Sequence, residues 1–579
     1  PAARAQLLLV GDDARRSAGG CAVSAKERFG VIPRGRDQLV GLALCCSYIA
    51  LLMRTAGAIG LARDEGIYVD AAQRYAGWLE LLVKSPSVAL TQRATDAAFT
   101  SNHEHPPLMK LLFALGHLAE RELHVFGSDS LGFRFGGMLS AGLLLWVIYL
   151  LGTRLYGRGA GLFAALAYAL LPRPFYHAHL NAFDVPITCA STAVIYAYYR
   201  SLTQPSAALT TGLLFGLALL TKHNSWLLPI TLGAHFALCA MVELRARRRG
   251  QPARLSLVPY GLMALALGPV IFYAGWPWLW HDSLPRLRAY AAFHLHHEYY
   301  NMEYFGVNYF WPPFPSSYAW VMTLFTVPLT TLTLGVSGAL RAGWVCARSL
   351  WSRLPPSAAD AHDPTLPSVL LGGALLAPLL LISLPSTPIF GGTKHWFPAY
   401  PMLALFAGRA FAEAVRLLPL RSARKPRFAH GLAAALGAWL LAPAAVETAH
   451  SHPFALSHYT AIAGGVPGAA QKGMNRQFWG FTTRSLAPYL RQVLPNGGSL
   501  YVCDTIYWAF EMLIRDGHLP DTFRPTGDIA RADYALVHHE KHFAEVDHQI
   551  WTTYGHVQPA HVLLYDGVPI ISVYKNPRR

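Results

Sequence analysis

Charged side chains are scarce in this chain. Asp, Glu, Lys and Arg make up 14% of its 579 residues, against about 25% in a soluble globular protein. That deficit excludes an ordinary soluble surface. Cysteine is also scarce: seven residues, at 21, 45, 46, 189, 239, 346 and 503, none with metal-ligand spacing. Only Cys503 lies in the polar C-terminal stretch, so no disulfide forms within it. The chain shows no internal repeat, no Walker loop and no dinucleotide fingerprint. Acidic residues number 32 against 48 Lys and Arg. The basic residues sit in particular loops, so they read as topology signals and not as a nucleic-acid surface.

What is present is apolar sequence, 53% of the chain. Eleven apolar runs fall at about 38–61, 132–152, 159–173, 184–199, 207–221, 224–243, 256–275, 318–340, 368–385, 396–414 and 428–448. Runs near 20 residues match the thickness of a bilayer core, so the expected class is a polytopic α-helical membrane protein with about 11 transmembrane helices. The loops alternate in charge. Arg154 and Arg158, Arg200, then Arg245, Arg247, Arg248, Arg249 and Arg254 occupy one side. Arg341, Arg348 and Arg353, then Arg416, Arg421, Arg424, Lys425 and Arg427 join them. The opposite short loops hold Arg173, Lys222 and Lys394 singly. The positive-inside rule then sets the N-terminus in the cytoplasm.

This pattern also decides a short apolar stretch, Leu108–Ala119. If it crossed the membrane, every later Arg cluster would change sides, so it is expected to lie along the interface as an amphipathic helix. Three regions follow. Residues 1–37 form a basic cytoplasmic tail expected to be disordered. Residues 38–449 form the membrane domain, with outer loops at about 62–131 and 276–317. Residues 450–579 form a small outer α/β domain. In it, Ser499–Cys503 and Ala532–His538 read as strands and Thr505–Arg515 as a helix. His561–Tyr565 and Ile570–Tyr574 read as a hairpin around Asp566-Gly567.

Several polar groups stand at the outer ends of these runs. Arg63-Asp64-Glu65 follows the first run, where carboxylates are costly unless they act or are paired. A partly desolvated Asp64 would be raised in basicity and suit a general base; an exposed cap paired with Arg63 is the alternative. His103-Glu104-His105-Pro106-Pro107-Leu108 has two prolines that suit a helix start, and its two histidines lack a third metal ligand. Asp184, within His177–Pro186, reads as a helix cap or as a second acidic group in an outward cavity. Thr221-Lys222-His223 and Thr393-Lys394-His395 each set a Lys beside a His at a span end, where a lysine either snorkels or holds a phosphate, together with Arg134 at the start of the second run. Trp276, Trp278 and Trp280 read as an interfacial belt. The His-rich run from His294 to Tyr304 reads as interfacial or acceptor contacts.

Asp64-Glu65-x-x-Tyr68, then His105-Pro106-Pro107-Leu108, then Gly132-Phe133-Arg134, resemble glycosyltransferase family 39, the protein O-mannosyltransferases and, more distantly, the lipid A aminoarabinose transferases. Gly392-Thr393-Lys394-His395-Trp396-Phe397-Pro398-Ala399-Tyr400-Pro401 is similar to the family's late Arg-Tyr-x-x-Pro-x-Tyr-Pro segment, with Trp396-Phe397 replacing Arg-Tyr. His452–Tyr459 with Gly464-Gly465 resembles a segment of bacterial members that carry an outer tail domain.

The resemblance implies a GT-C membrane fold in the bacterial inner membrane. It implies an inverting transfer on the periplasmic face from a polyprenyl-phosphate-linked sugar donor to a protein or glycolipid acceptor, with no cofactor required and usually no metal. By position, Asp64 would be the base and Glu65 its neighbour. Arg134, Lys222, Lys394, His395, His105, Asp184 and Tyr68 would hold donor phosphate or substrate. The rival from another class is a transporter or flippase of a lipid-linked glycan. A transporter places charges in mid-span and often carries inverted repeats.

Overall fold

The structure, a computed structural model, describes residues 32–248, 250, 255–351, 365–418 and 426–579. Arg249, Arg254, Arg353, Arg421, Arg424 and Lys425 of the basic loops, and most of the expected N-terminal tail, lie outside the described residues. The expected tail ends earlier than 37. Gly35, Arg36 and Asp37 form the first turn of helix α1, Gly35–Thr55. Asp37 is buried and takes hydrogen bonds from Arg158 at 2.6 and 3.0 Å and from the Tyr149 hydroxyl at 3.2 Å.

All eleven apolar runs are helical. After α1 come α2 (Arg63–Lys84), α3 (Leu108–Leu123), α4 (Asp129–Tyr156), α5 (Arg158–Ala169), α6 (Asp184–Ser201), α7 (Ala207–Thr221) and α8 (Leu228–Arg248). Two short helices at 260–264 and 267–274 precede α9 (Leu329–Trp351), α10 (Thr365–Ile382), α11 (Tyr400–Leu417) and α12 (Pro426–Ser451). Four helices among the described residues are long and apolar enough to cross a membrane, at 35–58, 129–156, 223–245 and 427–451. Shorter apolar helices stand at 207–221, 260–274 and 366–382. Helix α4 lies at the centre. Apolar residues surround it on nearly every side, as a helix inside a bundle requires, and Ser128 caps it by accepting from the Leu131 amide.

Helix α3 starts at the predicted proline pair, with Pro107 at its N-cap. One of its faces packs on α4 through paired glycines. A Cβ on Gly116 would lie 2.1 Å from the Gly132 carbonyl oxygen, so the two backbones meet only because both residues lack side chains. Trp276 and Trp278, read as an interfacial belt, are instead buried. Trp276 packs edge-on to Tyr290 of the same loop, and Trp278 sits 4.7 Å from the ring of His103, so Trp278 ties the 276–317 loop to the 62–131 loop.

The C-terminal region carries a five-stranded sheet. Its strands are β3 (Ser499–Val502), β4 (Arg524–Pro525), β5 (Tyr534–His538), β6 (His561–Tyr565) and β7 (Val568–Lys575), after a small ribbon of β1 (Met302–Tyr304) and β2 (Val307–Tyr309). The order is β4-β3-β5-β7-β6, parallel for β4-β3-β5 and antiparallel beyond. The positions coincide with the strands and hairpin expected from the alternating pattern. Helix α13 (Tyr507–Arg515) leaves β3 and lies directly on α2. At Gly66 a Cβ would stand 2.8 Å from Ile506 Cδ1 and 3.0 Å from the Ala509 amide. The Arg63 amide donates to the Trp479 carbonyl at 2.8 Å, and Arg515 pairs with Asp129 at 3.3 Å. The tail is therefore docked on the turn that carries Asp64.

Candidate active site

Helix α2 begins with two carboxylates that point in different directions, because successive residues of a helix are turned by about 100°. Glu65 points inward. Its side chain is 0% exposed and accepts from Arg134 Nε and Nη2 at 2.8 Å each, from the Ala62 amide at 2.9 Å and from the Asn181 amide at 3.1 Å. Arg134 also donates to the carbonyls of Ile59 at 3.0 Å and Gly60 at 2.9 Å. Two expectations are corrected by this geometry. Arg134, 1% exposed and holding four acceptors, does not face a phosphate. Glu65 is saturated with donors and does not reach a reacting group. Together they lock the end of α1, the start of α2 and the 180–181 turn in register.

Asp64 points the other way and is 23% exposed. Lys394 Nζ donates to its Oδ2 at 3.1 Å, and Arg63 Nε lies 3.6 Å from Oδ1. The expectation of raised basicity is corrected as well. Burial pushes the Asp64 carboxyl up, but Lys394 and Arg63 more than offset it and hold it below the ordinary carboxylate range. The resting carboxylate is ionised and only weakly basic.

Lys394 is 7% exposed and does not snorkel. Its ammonium lies over the Trp479 ring at 4.2 Å and the Phe390 ring at 5.0 Å. Beside it is a second pair. Asp184 opens α6 without capping it; its carboxylate goes instead to Lys222 at 2.7 Å and stands 3.5 Å from His177 Nδ1. Both lysines read from the sequence thus hold a carboxylate in the same region, from loops far apart in the chain.

The remaining predicted residues frame these pairs. Tyr68 sits one turn after Asp64 with its ring 4.4 Å from Phe183 and 5.9 Å from His105. His105 also packs on Phe183 at 4.8 Å. Burial, and then Lys222, hold the His105 imidazole well below its usual range, so it is neutral. His395 Nε2 is held by the Phe390 backbone, and burial with the charge of Lys394 lowers it to about 3. Both histidines position loops and are neutral imidazoles at neutral pH. His294, from the His-rich run, stacks on His223 at 3.8 Å and contacts the Glu104 carbonyl at 2.9 Å. Among the described residues no three His, Cys, Asp or Glu side chains converge as ligands for a metal.

Sequence reasoning missed three contributors. Lys110, fully buried in α3, donates to the carbonyls of Asn102 at 2.6 Å and His105 at 2.8 Å and so shapes the His103–Pro107 turn. Its signal was a lysine on the apolar face of an amphipathic helix. Arg173 is 1% exposed, stacked 5.1 Å from Tyr459 and 5.2 Å from Phe478, and its Nε and Nη2 make no hydrogen bond among the described residues. Nothing but its solitude in a short loop marked it. Asp504 of the tail accepts from Arg63 Nη1 at 2.6 Å. No local pattern announces that pairing across 441 positions.

Residues 104–273 match the model of a family described as dolichyl-phosphate-mannose-protein mannosyltransferase. The match covers His105-Pro106-Pro107-Leu108, Arg134, Asp184 and Lys222, and the family resemblance read from the sequence is borne out there. No curated protein matches the chain. Among solved structures, the chain is similar to ArnT from Cupriavidus metallidurans in the apo state, at 16% identity over 92% of this chain and 98% of that one, TM-score 0.46. The same protein bound to undecaprenyl phosphate gives 15% identity over 92% and 97%, TM-score 0.42. The apo oligosaccharyltransferase of Archaeoglobus fulgidus gives 11% identity over 90% and 71%, TM-score 0.46. These are distant likenesses.

Proposed function

We propose that this protein is an inverting membrane glycosyltransferase that moves a sugar from a polyprenyl-phosphate donor to an acceptor hydroxyl on a protein or a glycolipid. The observation that carries the reading is the Asp64–Lys394 pair at 3.1 Å beside the Lys222–Asp184 pair at 2.7 Å. A potential base and two potential phosphate-holding cations meet in one place. The family match supports the donor class through its printed description, dolichyl-phosphate-mannose.

Donor phosphate draws Lys394 away from Asp64, and Lys222 and Arg173 add positive charge around it. Losing its ammonium partner raises the basicity of Asp64 at the moment the base is needed. Asp64 takes the proton of the acceptor hydroxyl. The acceptor oxygen forms its bond to the anomeric carbon from the face opposite the phosphate. The bond from that carbon to the phosphate oxygen breaks, its electron pair stays on the phosphate, and configuration inverts. Positive charge developing on the sugar ring parallels glycoside cleavage, and the cations stabilise the departing dianion. A phosphate leaving group needs no proton, which fits a site with neutral histidines.

In this reading the site faces the periplasm of a bacterial inner membrane, with the N-terminus in the cytoplasm, 38–449 as the catalytic membrane domain and 450–579 as an outer domain. The test is transfer of label from a polyprenyl-phosphate sugar to membrane acceptors by purified protein in nanodiscs. The expected result is a glycosylated product formed by the wild type and formed at least about a hundredfold more slowly by Asp64→Asn. Equal product with both proteins sinks the assignment of the base; donor movement across the bilayer without product would instead indicate the flippase.

A further inference from the structure

The two cations beside Asp64 come from different elements, Arg63 from the first turn of α2 and Lys394 from the loop before α11. Both converge on Trp479, in the tail segment ahead of β3. The Trp479 carbonyl accepts from the Arg63 amide at 2.8 Å. Its ring lies 4.2 Å from the Lys394 ammonium, closer than the Phe390 ring at 5.0 Å. The rings of His177 and Trp479 meet edge to face at 5.2 Å, and His177 Nδ1 stands 3.5 Å from Asp184 of the second ion pair. One buried residue of the tail thus touches both cations of Asp64 and the neighbouring pair.

The backbone is shaped to put it there. Trp479 has φ +63° and Gly480 φ +59°, both in the left-handed region. A bulky residue adopts that region only where its surroundings hold it. Two glycines make the room. A Cβ on Gly480 would stand 2.2 Å from the Asp504 carbonyl oxygen, so the 479–480 turn sits directly on the turn that presents Asp504. A Cβ on Gly391 would stand 2.4 Å from Trp479 Cζ2 and 2.7 Å from Lys394 Cε, so glycine lets the indole and the lysine stem lie side by side. The guanidinium anchored by this turn is shared. It lies 2.6 Å from Asp504 and 3.6 Å from Asp64, and Glu540 of the tail adds to the negative field around it. A tryptophan that merely filled space would need neither the left-handed backbone nor a cation on its face.

The contact of Lys394 with Asp64, at 3.1 Å, is given up in the proposed transfer when phosphate arrives. The contact with the ring need not be, because an aromatic face attracts the ammonium whichever anion it pairs with. We propose that Trp479 is a positioning residue of the transfer site: its ring carries Lys394 between Asp64 and the donor phosphate, and its carbonyl fixes the turn that keeps Arg63 beside Asp64. The inference rests on the transferase reading, from which it takes the exchange of Lys394.

Two arms test it on the full-length protein in nanodiscs. The first is a double-mutant cycle on kcat/KM for the donor. Trp479→Leu should lower it by about fivefold to thirtyfold, the order of one desolvated cation–ring contact. Trp479→Phe, which keeps a ring face, should stay within about threefold of wild type. In the Lys394→Met background, Trp479→Leu should cost less than about twofold more, since the cation it serves is gone. An equal cost with and without Lys394 makes Trp479 a packing residue and overturns the proposal. The second arm reads the ring without transfer and without Trp479→Leu, so it stands if that variant fails to fold. The protein is labelled with 5-fluorotryptophan, and the fluorine NMR signal lost in Trp479→Phe is followed while farnesyl phosphate is added. The signal should move in the wild type and hold still in Lys394→Met. A signal that ignores farnesyl phosphate, or moves equally in both proteins, overturns the proposal. If the wild type forms no product, the transferase reading fails, and the NMR arm alone decides whether the ring follows Lys394.

Discussion

Asp64 and Glu65 are neighbours in one turn of one helix, yet they sit in regions of opposite design. Glu65 is enclosed with Arg134 in a fixed ion pair that has every acceptor filled. Asp64 faces a partly open region with one lysine at 3.1 Å and an arginine at 3.6 Å. A saturated pair stabilises geometry and resists exchange. A pair whose carboxylate is still 23% exposed can trade its cation for an incoming phosphate. The acidic dipeptide is therefore divided: one carboxylate holds the scaffold, and the other is the proposed base.

The largest effect should come from breaking the reactive side. Asp64→Asn keeps the shape and removes the proton acceptor, and general-base loss costs about 10²- to 10⁴-fold in rate. Transfer by purified protein should fall by that factor while the thermal unfolding midpoint holds within a few degrees. A large stability loss with residual transfer would erase the contrast between the two carboxylates. The structural side should respond in the opposite way. Arg134→Ala leaves Glu65 buried without a cation, a change of about 3–5 kcal/mol. The protein should express poorly or melt at lower temperature. The double variant Glu65→Leu with Arg134→Met should recover part of that stability, because no lone charge is left. Normal melting of Arg134→Ala would show the pair to be dispensable.

How much of this was legible in the sequence follows from the same comparison. The helices were readable because apolar runs near bilayer length leave few alternatives, and the tail strands because alternation and the Asp566-Gly567 turn are local signals. The first-turn carboxylates, Lys222 and Lys394 were readable as costly charges at span ends. Which carboxylate faces inward was not, because the direction of a side chain on α2 depends on what α4 offers opposite it. Arg134 misled for the same reason: an arginine at a span end suits a phosphate and a buried glutamate equally well. The contributions of Asp504 and Glu540 depend on the tail docking through Gly66 and Ile506, which no periodicity encodes.

A smaller effect tests how the tail is joined to the reactive side. Asp504 is ionised with difficulty in the folded protein. Burial pushes its carboxyl from 3.8 to about 6 even with Arg63 beside it. A carboxyl raised on folding binds protons more tightly in the native state than in the unfolded one. Its contribution to stability is therefore present below pH 4 and is lost as pH rises through 6. Two pK units correspond to roughly 3 kcal/mol. Across pH 4 to 6 the wild type should lose stability on this account, and Asp504→Asn should flatten that part of the curve. Parallel melting curves for the two proteins over this range would remove Asp504 from the account.

The smallest effect, and the one that separates pairing from mere proximity, concerns Lys394. It has two proposed tasks with opposite consequences for Asp64. Bound to Asp64 it lowers the basicity of the carboxylate; bound to phosphate it releases that restraint and stabilises the leaving group. Lys394→Met removes both. Loss of the phosphate contact should slow transfer by about tenfold to hundredfold, the order of one charge-assisted contact in a transition state. Loss of the restraint should raise the pKa of Asp64 in the donor-free protein, because Lys394 is the largest of the influences holding it down. The acid limb of kcat/KM, which reports the free enzyme, should then move to higher pH. The limb of kcat should move less, because in the donor complex Lys394 has already left Asp64. A variant with slower transfer and unmoved acid limbs would keep Lys394 as a phosphate ligand and refute its exchange between the two anions.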